Sequence, residues 1–222
     1  MRSDAARNLT RILAAADRLF AERGVDVTLD DVAQAAGVGV GTVYRRFANK
    51  SELLAEILQG YVAELEGRAA AAAVEDDPWF GLTSLLERIC ELVAGNRGIA
   101  IAITELEDGT TFFDRFEASV APVVGALLDR ARACGYVRPD LVPSDVLAMI
   151  PMVHTVTVFA ESVQPDVWRR YLALLLDGMR APAGALPTPA LTLDEIRIAR
   201  AAAVASRRRS SSMTAAMDRA RR

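Results

Sequence analysis

Apolar residues recur every three to four positions through the first sixty residues of the chain. Leu9, Ile12, Leu13, Ala16, Leu19 and Phe20 mark one face of a helix over Asp4 to Glu22, and Gly24 supplies its stop. Thr28 opens a second, short helix, with Asp31 at the capping-box position and Val32, Ala35 and Ala36 turned inward. Gly37-Val38-Gly39 follows: glycine tolerates the left-handed backbone of a tight turn, and Val38 plugs the angle between two crossed helices. Gly41 to Phe47 makes a third helix. Asn49 caps a fourth, with Glu52 completing the box and Leu53, Leu54, Ile57 and Leu58 on its apolar face.

Beyond Gly60 the helices lengthen. Arg68 to Ala73 reads as the end of a long helix, and Glu75 to Pro78 as a surface turn. Further helices are predicted over Trp79 to Ala94, Gly98 to Glu107, Phe112 to Cys134, Ser144 to Glu161 and Pro165 to Arg180. A short one over Leu193 to Ala203 follows a Pro/Gly/Ala segment, and an Arg/Ser-rich tail reads as unstructured. No repeat and no strand alternation emerges. The fold class is all-α, divided into a head (1–60), a helical body (61–183) and a linker with a basic tail (184–222).

Composition adds exclusions. The chain has 222 residues, of which 52% are hydrophobic, ample for a core. Cys90 and Cys134 lie far apart with no CxxC or histidine-rich spacing, so they read as two buried thiols in a reducing cytoplasm, with no zinc site. Met1 to Arg11 is too polar for a signal segment, and Val146 to Ala160 is shorter than the ~18 residues of a span. The expectation is a cytoplasmic protein with no membrane partner, cofactor or metal. The net charge of −3 hides a partition: Met1 to Gly60 is neutral, the middle is acidic and Arg197 to Arg222 is strongly basic. For a nucleic-acid partner, local placement matters more than the total, and Arg45, Arg46 and Lys50 cluster.

Two short helices joined by a glycine turn form a helix-turn-helix pattern. Gly39, Val40, Gly41 and Thr42 are small enough to let the third helix approach base edges and phosphates. Thr42 can donate to a phosphate or touch a thymine methyl, and Arg45 and Arg46 can reach bases. Tyr44, Lys50 and Thr28 suit phosphate oxygens. Phe47 belongs to the core.

The run Thr28-Leu-Asp-Asp-Val-Ala-Gln-Ala-Ala-Gly-Val-Gly-Val-Gly-Thr-Val-Tyr-Arg-Arg-Phe-Ala-Asn-Lys-Ser-Glu-Leu-Leu resembles the DNA-binding domain of the tetracycline-repressor (TetR) family. So does the preceding Ile12-Leu-Ala-Ala-Ala-Asp-Arg-Leu-Phe-Ala-Glu-Arg-Gly; together the likeness spans Leu9 to Leu58. The resemblance implies a homodimer whose heads join, through the fourth helix, to a divergent ligand-binding body, and the alanine-rich, nearly lysine-free composition suggests a bacterial source. It implies backbone contacts from Thr42, Tyr44 and Lys50, with Gly39 to Gly41 and Arg45 at the groove. Gly39 stands where the family usually has serine, and Val40 where a longer polar side chain is frequent, which shifts base readout toward Arg45, Arg46 and apolar contact from Val40.

The body offers weaker signals. Phe112, Phe113 and Phe116, with Met149, Met152, His154 and Phe159, either wall a pocket for a small-molecule effector or pack as core. Trp168, Tyr171, Leu172, Leu175, Leu176 and Met179 make one apolar stripe, and Leu147 and Ile150 lie on another. The resemblance implies that these two helices pair across a two-fold axis, and intramolecular core is the alternative. Pro151 is expected to kink the earlier of the two. The basic tail either adds non-specific DNA affinity or stays solvated. An enzyme is disfavoured because no nucleophile–base pair, metal cluster or phosphate-cradling loop is present; a purely structural dimer is the third class. The expected protein is therefore a homodimeric repressor of a palindromic double-stranded DNA operator, released by a small apolar or amphipathic ligand.

Overall fold

In the computed structural model, residues 2–24, 26–96, 107–160, 162–182, 184–203 and 205–206 are described. The expected helix over 98–106 and the basic tail from residue 207 lie outside them, as does the Phe112 side chain. The head comprises α1 (Arg2–Arg23), α2 (Leu29–Ala36), α3 (Val40–Arg46) and the start of α4 (Lys50–Ala73). The body adds α5 (Pro78–Gly95), α6 (Glu107–Ala133), α7 (Pro143–Ala160) and α8 (Trp168–Gly178). A last helix, α9, covers 193–203. Among the described residues the sole β-type pairing is an antiparallel bridge between Val137 and Arg180.

Local chemistry sets the helix ends. The Thr28 hydroxyl accepts from the Asp31 amide at 3.1 Å while the Thr28 amide donates to Asp31 Oδ2 at 2.9 Å, satisfying two backbone groups of α2 reciprocally. Gly37 ends α2 at φ +61°, in the left-handed region that favours glycine. Asn49 Oδ1 accepts from the Glu52 amide at 2.9 Å to start α4. Asp77 accepts from the amides of Trp79 and Phe80, and Pro78 occupies the first turn of α5, where no amide is needed. At the far end of α4, Arg130 donates to the carbonyl of Ala73, which the helix itself leaves unpaired, and to that of Glu75 in the turn that follows.

One continuous core runs from head to body. Ile12, Ala16, Leu19 and Phe20 of α1 meet Val32, Ala33, Val43, Phe47 and the buried face of α4. Burying each large side chain contributes about 1.5–3 kcal/mol, enough to hold the short α2 and α3 that could not stand alone. Ala33, not Ala35, faces inward on α2; Ala35 is exposed. The head–body boundary expected at residue 60 falls inside α4. Leu53, Leu54, Ile57 and Leu58 serve the head, while Val62, Leu65, Ala69 and Ala72 pack on the body, along one uninterrupted helix. α5 lies so close to the end of α4 that a Cβ on Gly81 would come within 2.8 Å of the Ala72 carbonyl oxygen.

Four further details differ from expectation. α6 already includes residues 107–111, ahead of the expected start at Phe112, so Asp108-Gly109 does not interrupt it. Cys134 is exposed beyond the end of α6, and only Cys90 is buried. The segment after Gln164 starts as a 3-10 turn, Pro165–Val167, before α8. α7 reaches 18 residues with mean hydropathy 1.3, long and apolar enough to span a membrane, yet it packs against α5, α6 and α8.

Candidate nucleic-acid interface

α3 is held from beneath and bare on its outer side. Val43 is fully buried and Phe47 nearly so, fixing the helix to the core through two side chains one turn apart. Gly39, Val40, Gly41, Tyr44, Arg45 and Arg46 are exposed, and Thr42 is half-buried. Gly39 and Gly41 carry no side chain of their own, and the nearest groups beside them are the Thr42 hydroxyl and the Arg45 guanidinium, 3.8 and 4.0 Å from where a Cβ would stand, so both polar groups lie along the exposed backbone of this face. Val40 (46% exposed) and Tyr44 (50%) share that face at helical spacing.

The polar groups differ in their freedom. Arg45 Nη2 donates to the Thr42 hydroxyl at 3.2 Å, which aligns both along the outer face. Arg46 turns back, 3.6 Å from Glu56 of α4, with its guanidinium 5.6 Å from the Phe47 ring centre. Of the two arginines expected to reach bases, Arg46 has an acidic neighbour in Glu56 and remains exposed, whereas Arg45 lies along Thr42. The Asp30 carboxylate stands beside Tyr44 and raises the phenol above its ordinary pKa. Thr28 is exposed, but its hydroxyl donates to Asp31 Oδ2 at 2.6 Å. A phosphate would have to compete with that cap. Lys50 is half-buried in the first turn of α4.

Three bonds that sequence patterns did not reveal brace this reading unit. Arg11 of α1 donates to the carbonyl of Gly37 in the turn at 3.0 Å. Deeper in, Asp17 of α1 accepts from the Tyr61 hydroxyl of α4 at 2.5 Å and from Asn96 Nδ2, just past α5, at 2.7 Å. A single carboxylate thus ties head, connecting helix and body. Burial, and then the bond to Asp17, push the Tyr61 phenol well above its ordinary pKa.

Comparison with known proteins bears on this geometry. Residues 12–57 match the model of bacterial regulatory proteins of the tetR family, and residues 77–181 match the C-terminal domain of SbtR-like transcriptional regulators. The chain belongs to the TetR family. It is a DNA-binding transcriptional regulator, and not an enzyme. Among its relatives is the HTH-type transcriptional repressor KstR2 of Rhodococcus jostii, 28% identical over 189 residues, which are 78% of this chain and 91% of the relative. Similar solved structures include the TetR regulator SCO0520 of Streptomyces coelicolor, with TM-score 0.60 and 29% identity over 79% of this chain and 99% of that one. The ketosteroid regulator KstR2 of Mycobacterium tuberculosis follows at TM-score 0.58 and 26% identity, over 78% and 95%.

The TetR body distributes the expected pocket residues between two surroundings. Phe116 and Met149 are buried, and Phe113 is half-buried with its ring centre 5.9 Å from that of Phe116. His154 is half-buried on α7. Met152 (53% exposed) and Phe159 (87%) point out of the molecule, so they cannot wall the same cavity as Phe116. The expected dimer stripe is redistributed as well. Leu147, Ile150, Trp168, Leu172 and Met179 are buried within the chain, and Leu175 and Leu176 are half-buried. Tyr171 alone of that set is exposed. The outward face is instead Met152, Val158 and Phe159 on α7 with Tyr171 and Leu174 on α8.

Proposed function

We propose that this TetR-family regulator is a homodimeric repressor that binds a palindromic operator and is released by a small apolar or amphipathic effector. The observation that carries the DNA reading is the exposed face of α3, anchored by Val43 and Phe47, on which Gly39, Val40, Gly41, Tyr44 and Arg45 all face outward. On that face Gly39, Val40 and Gly41 approach the bases, and Arg45 reads a guanine edge. Thr42, Tyr44 and Lys50 hold phosphates. Two copies place two such helices in successive major grooves, about 34–36 Å apart or a multiple of it.

Self-association is supported by the outward apolar face of α7 and α8, since a monomer rarely leaves so many large apolar side chains in water. The effector reading draws on the Phe113–Phe116 pair at the head of α6 and on the likeness to a ketosteroid regulator. An effector acts by favouring a form whose heads no longer match the operator spacing.

Footprinting the purified chain on the DNA upstream of its own gene tests the proposal. Two protected half-sites related by a dyad are expected, and the Tyr44→Phe/Arg45→Ala variant should lose at least tenfold in affinity. Protection without dyad symmetry, or an unchanged variant, would refute it.

A further inference from the structure

The family match ends at residue 181, but the chain does not leave the body there. The segment after it folds back as an arm and runs along α6. Its root is held by Arg138, which donates to the carbonyl of Gly184 and pairs through its guanidinium with both oxygens of Asp140. Asp140 Oδ2 in turn accepts from the Leu186 amide at 2.9 Å. The distal part, α9, is encoded locally: the Thr192 hydroxyl accepts from the Glu195 amide at 3.1 Å, and Glu195 Oε2 accepts from the Thr192 amide at 2.8 Å. The arm is thus a preformed rod on a fixed root.

Its contacts with α6 form a register. Arg197 pairs with Glu117 at 2.7 Å, and three residues further along Arg200 pairs with Asp114 at 3.2 Å, three residues earlier, so the two helices run antiparallel. The Arg200 guanidinium also lies 3.6 Å from the centre of the Phe113 ring, the usual cation–π arrangement. The Glu117 side chain is left only 5% exposed. Its Oε2 and the Nη1 of Arg200 are buried without a hydrogen-bond partner among the described residues. Such groups are costly to leave unmet, so this junction is less stable than its ion pairs suggest.

The rest of the arm is docked lightly. Leu186, Leu191 and Ile198 are exposed, and only Leu193, Ile196 and Arg200 are partly covered between residues 191 and 200. Between the 185–191 stretch and the first turns of α7 a cavity of about 550 Å³ remains, bordered by Ser144, Asp145 and Ala148. Few buried apolar contacts, buried polar atoms left unmet and unfilled space beneath are the marks of a segment that opens without global unfolding.

We propose that the arm spanning 184–203 is a releasable strap over the head of α6, and that its release exposes Phe113 and Glu117 and so controls effector entry. The control of entry rests on the reading of the Phe113–Phe116 pair as part of the effector site; the strap itself does not. Opening is coupled to binding: a ligand that takes up the unmet Glu117 or Arg200 atoms, or intercalates at Phe113, competes with the arm for the same groups.

Hydrogen–deuterium exchange on the full chain tests this, with the apolar dye 1-anilinonaphthalene-8-sulfonate as the probe of exposed surface. Arg197→Ala/Arg200→Ala should speed exchange at least tenfold in peptides covering both 184–203 and 113–120, and increase dye fluorescence severalfold. Glu117→Gln, which keeps shape and removes one ion pair, should move both readouts in the same direction by a smaller factor. Exchange within twofold of the parent at both segments overturns the strap. So does faster exchange confined to the arm, with residues 113–120 and the dye unaffected. Neither readout involves DNA, so an operator affinity indifferent to apolar compounds defeats the effector reading while leaving the strap intact.

Discussion

The Arg11 guanidinium donates to the carbonyl of Gly37 at 3.0 Å, joining the outer side of α1 to the apex of the helix-turn-helix turn across 26 positions of sequence. A Cβ at residue 37 would meet the same guanidinium at 2.8 Å, on a backbone already at φ +61°. Gly37→Ala is therefore expected to destabilise the chain by about 1–2 kcal/mol from the left-handed backbone, with a further penalty from displaced Arg11. Arg11→Ala should cost only about 1 kcal/mol, as befits one exposed hydrogen bond. Urea melts of both variants check the ranking; equal losses would mean the turn does not depend on backbone conformation.

Tyr61→Phe should loosen the junction of head and body without opening the core. One bond to a carboxylate is lost, a cost of about 1.5–3 kcal/mol, while Asn96 still reaches Asp17. The pH dependence has a definite sign. Because the folded phenol has a raised pKa, its contribution is complete below the unfolded value near 10 and is lost as pH rises toward the folded one. Denaturant midpoints of the parent should thus fall above about pH 10 more steeply than those of the Phe variant. Parallel curves would remove Tyr61 from the account.

The two thiols should separate cleanly. Burial pushes Cys90 up to about 12, so almost no thiolate forms at pH 8, whereas Cys134 is exposed. Ellman's reagent should titrate one thiol in the native chain and two after denaturation. Cys134→Ser should abolish the native reaction.

Replacing Phe159 or Leu174 by lysine places charge on the outward face of α7 or α8. Sedimentation velocity should show the monomer gaining over the dimer by a hundredfold or more in dissociation constant, with helix content retained. Leu147→Lys, by contrast, should unfold the chain, since that side chain lies inside the body. If the Phe159 and Leu174 variants remain fully dimeric, the two copies meet elsewhere.

The head was legible in the sequence because its determinants are local. Thr28 with Asp31, Asn49 with Glu52, and Gly37 act within four residues of one another, and the apolar spacing of α1 admits one inward face. The body was less legible for the opposite reason. α7 is apolar around most of its circumference, so spacing could not say that Leu147 turns in while Phe159 turns out. Nor could it show that Arg46 folds back to Glu56, or that Arg197 finds Glu117 across 80 positions, because such pairs are decided by packing between distant elements.

The absence of any break in α4 has a mechanical consequence. A helix of 24 residues is about 36 Å long, roughly the distance between successive major-groove openings on one side of a duplex. Held by side chains along its length, it transmits rotation as a stiff beam. A tilt of about 10° at the body end would carry the other end by roughly 6 Å. A small angular error in the body thus becomes a mismatch of several ångströms at the DNA, and no hinge in the head is needed to produce it.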